Sequence, residues 1–261
     1  MAFARRLAIL PGGLGGLGSA TGKKLMQNEA HLAILYAPFE AKCHDELLEK
    51  GYGGTRTLNR DQIRTYECDI TSPESVQTAF DSIEKDAVAP FSSSTSEQAF
   101  PSILVNTAGY VSLRDMELTP PEIMGHLTTN ILGPMLCSQV FARLFFAASK
   151  AAQPSTSPPP PGRIIRIASQ ATHTALPRHG VYCASKAALL GLTRRMASEW
   201  ADRGKKAWGE DSVRKAFLKT IPTGKFAQPE EVADAVVFLA QDSSNTINDA
   251  DIRVDGGFTI R

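Results

Sequence analysis

Cysteine is scarce in this chain, and neither sign of charge dominates. The four cysteines, Cys43, Cys68, Cys137 and Cys183, are scattered and none forms a CxxC pair. This spacing excludes a disulfide framework and a zinc site of the usual pattern, and it favours a reducing compartment, so we expect a cytoplasmic protein. The formal net charge is +1. Such a balance gives no electrostatic case for binding nucleic acid or an anionic membrane surface.

The sequence also lacks a long uninterrupted apolar run. The longest apolar helical stretch, GPMLCSQVFARLFFAASK, is broken by Gln139, Arg143 and Lys150. It therefore predicts a core helix rather than a membrane span. The first residues, MAFARRLAIL, pass directly into PGGLGGLG without a cleavage-type segment, which indicates a first strand. Neither an internal repeat nor a shift in composition divides the chain, so we expect one domain over residues 1–261.

Short apolar runs alternate with longer amphipathic segments along the chain. Most of the short runs lack in/out alternation, as expected of strands that are covered on both faces of a parallel sheet. The pattern predicts an α/β fold with a doubly wound, Rossmann-type parallel sheet. The strand candidates are residues 4–10, 31–36, 64–70, 102–108, 163–169 and 251–255.

Helices are predicted between these strands. Ser72 is a candidate cap for a helix that starts at Pro73, and Pro229 marks the start of another. The remaining candidates follow Gly16 or span 39–50, 122–150 and 181–203, and the helix from Pro229 reaches residue 241. Two Ser/Pro-rich stretches, 90–101 and 153–163, are too polar to pack and predict surface insertions.

The first predicted turn is rich in glycine. Gly12, Gly16 and Gly18 follow the first strand with the spacing G-x-x-x-G-x-G and open directly into a helix. Such a turn brings backbone N–H groups and a helix N-terminus to a pyrophosphate without intervening side chains, which favours a dinucleotide site. The end of the second strand carries Tyr36 and Ala37, neither an acid for NAD nor a base for NADP. The choice of cofactor therefore stays open.

A second cluster of residues carries the chemistry. Tyr182 and Lys186 stand four residues apart in GVYCASKAALLGLT, so that both side chains project from one helix face. A free phenol has a pKa of about 10, and a nearby ammonium favours the phenolate that a general acid/base needs near neutral pH. Ser169 ends the fifth predicted strand, at the edge of the sheet where open α/β proteins bind ligands.

Together with the glycine turn, these residues resemble the short-chain dehydrogenase/reductase family over nearly the whole chain. NTAG (106–109) is similar to the family's Asn-Asn-Ala-Gly motif, with Thr107 at its second position. TTNILGP resembles the helix that bears the catalytic asparagine, here Asn130, and YECDIT places Asp69 where the family contacts adenine. IPTGKFAQPEEVADAVVFLAQDSS and IRVDGGFT resemble the C-terminal signature.

The resemblance implies an NAD(P)(H)-dependent oxidoreductase that interconverts a secondary alcohol and a ketone. Tyr182 would exchange the proton and Lys186 would favour the phenolate and bind the nicotinamide ribose. Ser169 would hydrogen-bond the reacting oxygen, and Asn130 would hold a water. The implied cofactor-binding residues, besides Tyr182 and Lys186, are Gly12, Gly16, Leu17, Gly18, Asp69, Ile70, Asn106, Ala108 and Gly109. The family needs no metal, so we expect packing or surface roles for His126, His173 and His179.

The chain departs from the family pattern at three places. Pro11 replaces the usual threonine before Gly12, and Asp249 stands where relatives usually have glycine. The largest departure follows the Tyr/Lys helix, where the family has a sixth strand and a turn that contacts the nicotinamide. From Arg194 to Lys219 the only β-branched residue is Val213, so no strand is predicted there. The sequence near Gly204 reads as a deletion of about 15 residues, roughly one strand and turn.

This departure leaves two functions open. The first is an active enzyme of the L-xylulose/dicarbonyl reductase-like branch, acting on a polyol/ketose or small carbonyl substrate, with a secondary-metabolite ketoreductase as a variant. The second is a catalytically impaired homologue that binds a dinucleotide or a partner protein. In either case the resemblance implies a homodimer or homotetramer, with no nucleic-acid or membrane partner.

Overall fold

The protein is described from a computed structural model. The structure describes residues 3–53, 62–88, 99–151, 160–174, 176–208 and 229–241, together with Ser244, Ile247, Ile252 and Val254. The side chains of residues 87 and 88, of Ser198 and of residues 201–208 are outside this description.

A parallel five-stranded sheet forms the centre of the molecule. The strands are β1 (Arg6–Pro11), β2 (His31–Tyr36), β3 (Ile63–Glu67), β4 (Phe100–Asn106) and β5 (Arg163–Arg166). Their order is β3-β2-β1-β4-β5, and every neighbouring pair is parallel. The chain leaves the central β1 in one direction to β2 and later in the other direction to β4. The crevice at the carboxyl ends of β1 and β4 is therefore the ligand site that such a topology favours.

Helices cover both faces of this sheet. They are α1 (Gly16–Gln27), α2 (His44–Tyr52), α3 (Pro73–Val88), α4 (Pro120–Leu127), α5 (Gly133–Ala151), α6 (Gly180–Trp208) and α7 (Pro229–Ala240). Alternate residues of β1 enter opposite cores. Leu7 and Ile9 pack with the apolar faces of α3 and α5, and Ala8 and Leu10 pack with those of α1, α2 and α7. The continuous apolar runs in the sequence reflect this burial on both faces.

Residues Pro120–Ala151 form one continuous helical segment, because a π-turn (Thr128–Leu132) joins α4 to α5. By length and composition alone this segment could cross a membrane. In the fold, however, Cys137, Phe141 and Phe145 of α5 belong to the core against the sheet, and half of its most apolar window is buried. This packing agrees with the prediction of a core helix. A core helix can be as long and as apolar as a membrane span.

The predicted elements that fall within the described residues are present with shifted ends. The sheet confirms the doubly wound parallel class. Pro73 begins α3, and the Ser75 N–H donates to the Ser72 hydroxyl at 3.2 Å, as predicted for a cap. Three strands end earlier than expected, β3 at Glu67, β4 at Asn106 and β5 at Arg166. The helix predicted over 39–50 divides into a 3-10 turn (Pro38–Cys43) and α2. The insertion predicted over 90–101 is wrong at its end, where Phe100 already starts β4.

α6 differs most from its prediction. It was expected to end at residue 203, but its backbone continues through Gly204 to Trp208. No strand therefore follows Arg203 in the described part of the chain. The rest of the strandless stretch, residues 209–219, lies outside the described residues, as do Asp249 and most of the strand predicted over 251–255.

Candidate active site

The glycine turn lies at the carboxyl end of β1. Gly12 has φ +77°, a conformation that side chains rarely adopt, and a Cβ on it would come within 2.6 Å of the Ala108 nitrogen. A Cβ on Gly18 would overlap the Gly12 carbonyl oxygen. These two glycines thus allow the close approach of the turn to α1 and to the end of β4. Two of the three glycines in the G-x-x-x-G-x-G spacing, Gly12 and Gly18, are therefore required because a side chain at either position would overlap a neighbouring backbone or side-chain atom.

The N-terminus of α1 is open for a ligand. Gly15 caps the helix without a side-chain hydrogen bond, and the first turn contains no acidic residue. A Cβ on Gly16 would meet nothing within 4 Å. The first N–H groups of a helix need partners and carry partial positive charge, so a pyrophosphate fits this place. Leu17, the other residue predicted here, is half-buried in the same turn of helix.

Pro11 leaves the turn braced in another way. Its carbonyl oxygen accepts three hydrogen bonds from the segment after β4: from the Thr107 hydroxyl at 2.7 Å and from the N–H groups of Ala108 at 2.9 Å and Thr107 at 3.1 Å. The expected loss of a hydroxyl at position 11 is therefore compensated by the hydroxyl of Thr107. Pro11 and Thr107 both depart from the family motif, and they contact each other through this hydrogen bond.

Asn130 is fully buried in the π-turn and clamps the loop after β4. Its side-chain oxygen accepts the Tyr110 N–H at 2.7 Å, and its amide nitrogen donates to the Tyr110 carbonyl at 2.8 Å and to the Ser185 hydroxyl at 3.0 Å. Ser185 in turn donates to the Tyr182 carbonyl at 2.8 Å. Asn130 thus links the loop that begins at Tyr110 to the helix that carries Tyr182.

Lys186 is buried beside Tyr182. Its ammonium lies 5.8 Å from the centre of the Tyr182 ring and donates to the Ile167 carbonyl at 3.0 Å. Burial lowers the pKa of Lys186 from 10.5 to about 8. A Cβ on Gly109 would lie 3.5 Å from this ammonium and 3.6 Å from the Asn130 side-chain oxygen. The structure therefore brings Asn130, Lys186 and Gly109 to one place.

Ser169 follows β5 and caps a short 3-10 turn (Gln170–Thr172). Its hydroxyl oxygen accepts the Ala171 N–H at 3.2 Å, which leaves the hydroxyl hydrogen to be donated. The turn packs against α6, so Ser169 is on the same side of the sheet edge as Tyr182. A hydroxyl with a spare donor in this position can bind a carbonyl oxygen.

His126 belongs to the site although it was expected only to pack. It is fully buried, its Nε2 accepts the Ser112 N–H at 3.1 Å and its Nδ1 lies 2.8 Å from the Glu122 carbonyl. Its ring meets Tyr110 edge-on at 4.8 Å between centroids and lies 6.4 Å from the Tyr182 ring. His126, Tyr110 and Ser185 support the predicted residues, and no short sequence motif marks His126 or Tyr110.

The predicted adenine and strand-four positions lie after β3 and at the end of β4. The Asp69 carboxylate accepts the Thr71 N–H at 2.9 Å and its hydroxyl at 2.7 Å, while Ile70 packs on Gly133. Asn106 is 4% exposed, and neither polar atom of its side chain has a protein partner among the described residues. A buried amide without a partner fits a bound ligand or water. In the same described part of the chain, no group of three or more His, Cys, Asp and Glu side chains could hold a metal ion.

The fold and the glycine turn define a dinucleotide-binding α/β protein. A family model described as enoyl-(acyl carrier protein) reductase matches residues 12–259. D-threitol dehydrogenase of Mycolicibacterium smegmatis is 32% identical over 98% of this chain and 94% of its own. NAD-dependent glycerol dehydrogenase of Listeria innocua is 28% identical with the same coverages, and L-xylulose reductase of Mesocricetus auratus is 32% identical over 63% of this chain and 72% of its own. The chain belongs to the short-chain dehydrogenase/reductase family, and hence to the NAD(P)-dependent oxidoreductases that act on alcohols and ketones.

Solved structures agree on the fold. A short-chain dehydrogenase/reductase from Serratia marcescens superposes with a TM-score of 0.69 at 25% identity over 99% of this chain and 100% of its own. ElxO, solved with NADP bound, gives a TM-score of 0.73 at 21% identity over 98% of this chain and 99% of its own. The alignment with D-threitol dehydrogenase spans 274 positions, more than the 261 residues of this chain. That relative therefore contains residues that this chain lacks.

The described residues fit an NAD(P) cofactor. The open N-terminus of α1 fits the pyrophosphate, and the space at Gly109 beside Lys186 and Asn130 fits the nicotinamide ribose. When bound, the cofactor supplies or accepts the hydride.

Proposed function

We propose that this chain interconverts a secondary alcohol and a ketone of the polyol/ketose or small-carbonyl class, with Tyr182 as general acid/base. The observation that carries the proposal is the buried Lys186 ammonium beside the Tyr182 ring. A positive charge at this place stabilises a phenolate, and its effect is strengthened by the low effective dielectric of a buried site. The names of the relatives, which act on threitol, glycerol and xylulose, support the substrate class.

Each predicted residue has a proposed role. In the reductive direction Tyr182 donates its proton to the developing alkoxide, and Ser169 donates a hydrogen bond to the same oxygen. Lys186 stabilises the phenolate that remains and binds the nicotinamide ribose. Asn130 fixes the Tyr110 loop, and its proposed role is to hold a water that links Lys186 to solvent. The remaining predicted cofactor residues line the turn after β1, the end of β3 and the end of β4.

We further propose that residues 1–261 form a single domain of a cytoplasmic homodimer or homotetramer. The scattered free cysteines support a reducing compartment. The core position of the segment Pro120–Ala151 supports a protein without a membrane partner, and the balanced charge supports one without nucleic acid.

One observation favours a second candidate, a catalytically impaired homologue that still binds a dinucleotide. α6 runs as a helix through Gly204 to Trp208, at the place where the sequence predicts the loss of a strand. Loss of a strand and its turn would weaken the hold on the nicotinamide end of the cofactor while the turn at Gly12 and α1 stays intact.

The test is an activity panel with both cofactors. Purified chain is assayed with NAD and NADP against threitol, glycerol and xylitol, and with NADH and NADPH against xylulose and small dicarbonyls. We expect turnover that falls by about 100-fold or more in Tyr182→Phe, the usual contribution of a general acid/base. Tyr66→Phe is the matched control and should retain activity. Tyr66 lies in β3, and its hydroxyl donates to Asp86 of α3. Absence of turnover across the panel, with dinucleotide binding retained, would favour the second candidate.

A further inference from the structure

The carboxyl end of β2 lies between the two parts of the site that flank an adenosine. On one side the Gly12 N–H donates to the Leu35 carbonyl at 2.9 Å, and on the other the Cys68 N–H donates to the Tyr36 carbonyl at 2.8 Å. A dinucleotide that runs from the N-terminus of α1 towards Asp69 must place its adenosine ribose at this strand end. β2 ends at Tyr36 and is followed by Ala37. Neither side chain carries a charge at neutral pH, so these two residues leave the ribose contact unassigned.

The turn that follows β2 supplies a carboxylate there. Glu40 belongs to the 3-10 turn Pro38–Cys43, is half-buried, and accepts the Ala37 N–H through Oε2 at 2.7 Å. This hydrogen bond holds the charge against the first residue after β2. Oε1 has no hydrogen-bond partner among the described residues, so one oxygen of a fixed carboxylate remains to accept a further hydrogen bond.

The charges that act on Tyr36 are negative, and the positive charge on the turn is an exposed lysine. The pKa of Tyr36 is raised by burial and then by the negative charges of Glu67 and Asp45. Lys42, on the same turn as Glu40, is exposed and forms no ion pair within the described residues. His44 packs its ring on Tyr36 with 4.6 Å between centroids and has Asp45 at 2.9 Å from its Nδ1.

We propose that Glu40 binds the 2′-hydroxyl of the adenosine ribose and thereby makes this chain select NAD(H) over NADP(H). A ribose hydroxyl can donate to Oε1, whereas a 2′-phosphate would bring like charge against a carboxylate that the Ala37 N–H prevents from moving away. This inference concerns only the cofactor site, so it can hold whether or not the chain turns over an alcohol or a ketone.

The test compares dinucleotide halves that differ only at the 2′ position. Isothermal titration with ADP-ribose and with 2′-phospho-ADP-ribose measures the adenosine end without the nicotinamide end. We expect the unphosphorylated ligand to bind about tenfold more tightly or better, since like charges at contact distance repel strongly in a partly buried site. Glu40→Gln keeps an oxygen for the Ala37 N–H but removes the charge, and it should reduce this ratio by about tenfold.

Two further variants separate the charge of Glu40 from general effects. Glu46→Gln removes an exposed acid on α2 and should leave the ratio unchanged. Lys42→Ala tests the opposite assignment, in which the exposed lysine receives a 2′-phosphate. The proposal is overturned if 2′-phospho-ADP-ribose binds as tightly as ADP-ribose, if Glu40→Gln leaves the ratio unchanged, or if neither ligand binds a chain whose circular dichroism shows it to be folded.

Discussion

The buried charge of Lys186 lowers the stability of the fold. Its ammonium is buried, its described hydrogen bond goes to a neutral carbonyl of Ile167, and no carboxylate pairs with it among the described residues. The lowered pKa of about 8 measures what this burial costs. A charge is retained in such a place when a function needs it, and stabilising the Tyr182 phenolate is the function that the geometry supports.

Replacing this charge should stabilise the protein while abolishing its chemistry. We expect Lys186→Met to increase the free energy of unfolding without cofactor by up to about 3 kcal/mol at pH 7, the equivalent of the pKa shift. The unfolded lysine binds its proton up to about pH 10.5 and the folded one only up to about 8. The cost is therefore complete below pH 8 and disappears as the pH approaches 10.5. Urea unfolding of both proteins from pH 7 to 10 measures the difference, which should narrow above pH 8.

The outcome that contradicts this is a Lys186→Met protein that is less stable than its parent at pH 7. Lys150→Met, at an exposed lysine in the last turn of α5, is the matched control and should show no such pH-dependent difference.

Whether a residue of the site could be predicted from the sequence depends on how far away its partner lies in the chain. Tyr182 and Lys186 could be predicted because a helix imposes their spacing. The clamp between Asn130 and Tyr110 and the contact of His126 with Ser112 join residues that are separated by 20 and 14 positions. Such contacts depend on the path of the loop after β4, which no local pattern fixes. The role proposed for Glu40 could not be predicted for a related reason, since it depends on a turn that folds back on the end of β2.

At the scale of elements, the strands could be located from their composition but not delimited by it. Continuous apolar runs mark strands that are buried on both faces, yet the residues after β3, β4 and β5 are apolar or small for a different reason. Thr107 and Ala108 serve the glycine turn through the Pro11 carbonyl, and Ile70 packs on Gly133. The strand ends are where the active-site crevice begins, so their composition reflects the site.

α6 extends beyond its predicted end, whereas the three strands end before theirs. Gly204 costs a helix interior about 1 kcal/mol relative to alanine, yet the helix predicted over 181–203 continues past it. The residues that follow it, Lys205, Lys206 and Ala207, are good helix formers, and the helix continues to Trp208. A single glycine is too weak a signal to end a helix when no proline or cap follows.

The start of α3 gives a measurable element-scale effect. The Ser72 hydroxyl accepts the Ser75 N–H at 3.2 Å and donates to Glu74 at 3.0 Å. We expect Ser72→Ala to lower the free energy of unfolding by about 1 kcal/mol, the usual value of an N-cap. Ser82→Ala on the same helix is the matched control, because its hydroxyl only bonds back to the Thr78 carbonyl. Equal effects of the two changes in urea unfolding would contradict the role of Ser72.

At the scale of the whole molecule, the described sheet ends at β5, and Ser169 follows shortly after this strand. The family places a further strand beside this edge, with a turn that contacts the nicotinamide. The sequence near Gly204 predicts that this strand and turn are lost, which would leave the adenosine end of the cofactor site better supplied than the end where the hydride moves. Substrate affinity and turnover should therefore be reduced more than the affinity of the chain for the adenosine half of the dinucleotide.

Restoring the segment that the sequence predicts to be lost should reverse this imbalance. Inserting the corresponding strand and turn of D-threitol dehydrogenase, about 15 residues, before Gly204 is expected to increase both NAD affinity and turnover. An insertion of equal length made of Gly and Ser is the control and should do neither. Calorimetry and steady-state kinetics measure the two effects. A parent chain with sub-micromolar dinucleotide affinity and turnover equal to that of the chimera would show that nothing essential is missing.

The π-turn at Thr128–Leu132 has a consequence for how this part of the chain can evolve. It lies between two helices that each present a fixed face, α4 with His126 and α5 with Cys137 and Phe141. Removing one residue from it would leave an ordinary α-helical turn, so Cys137 and Phe141 would keep the face that packs in the core. Asn130 lies within the π-turn and would move relative to Tyr110, which it now contacts through two hydrogen bonds. Point substitutions outside these contacts can be absorbed along this segment, whereas loss of the extra residue should be nearly absent from functional descendants, so the length of the turn is inherited more strictly than its sequence.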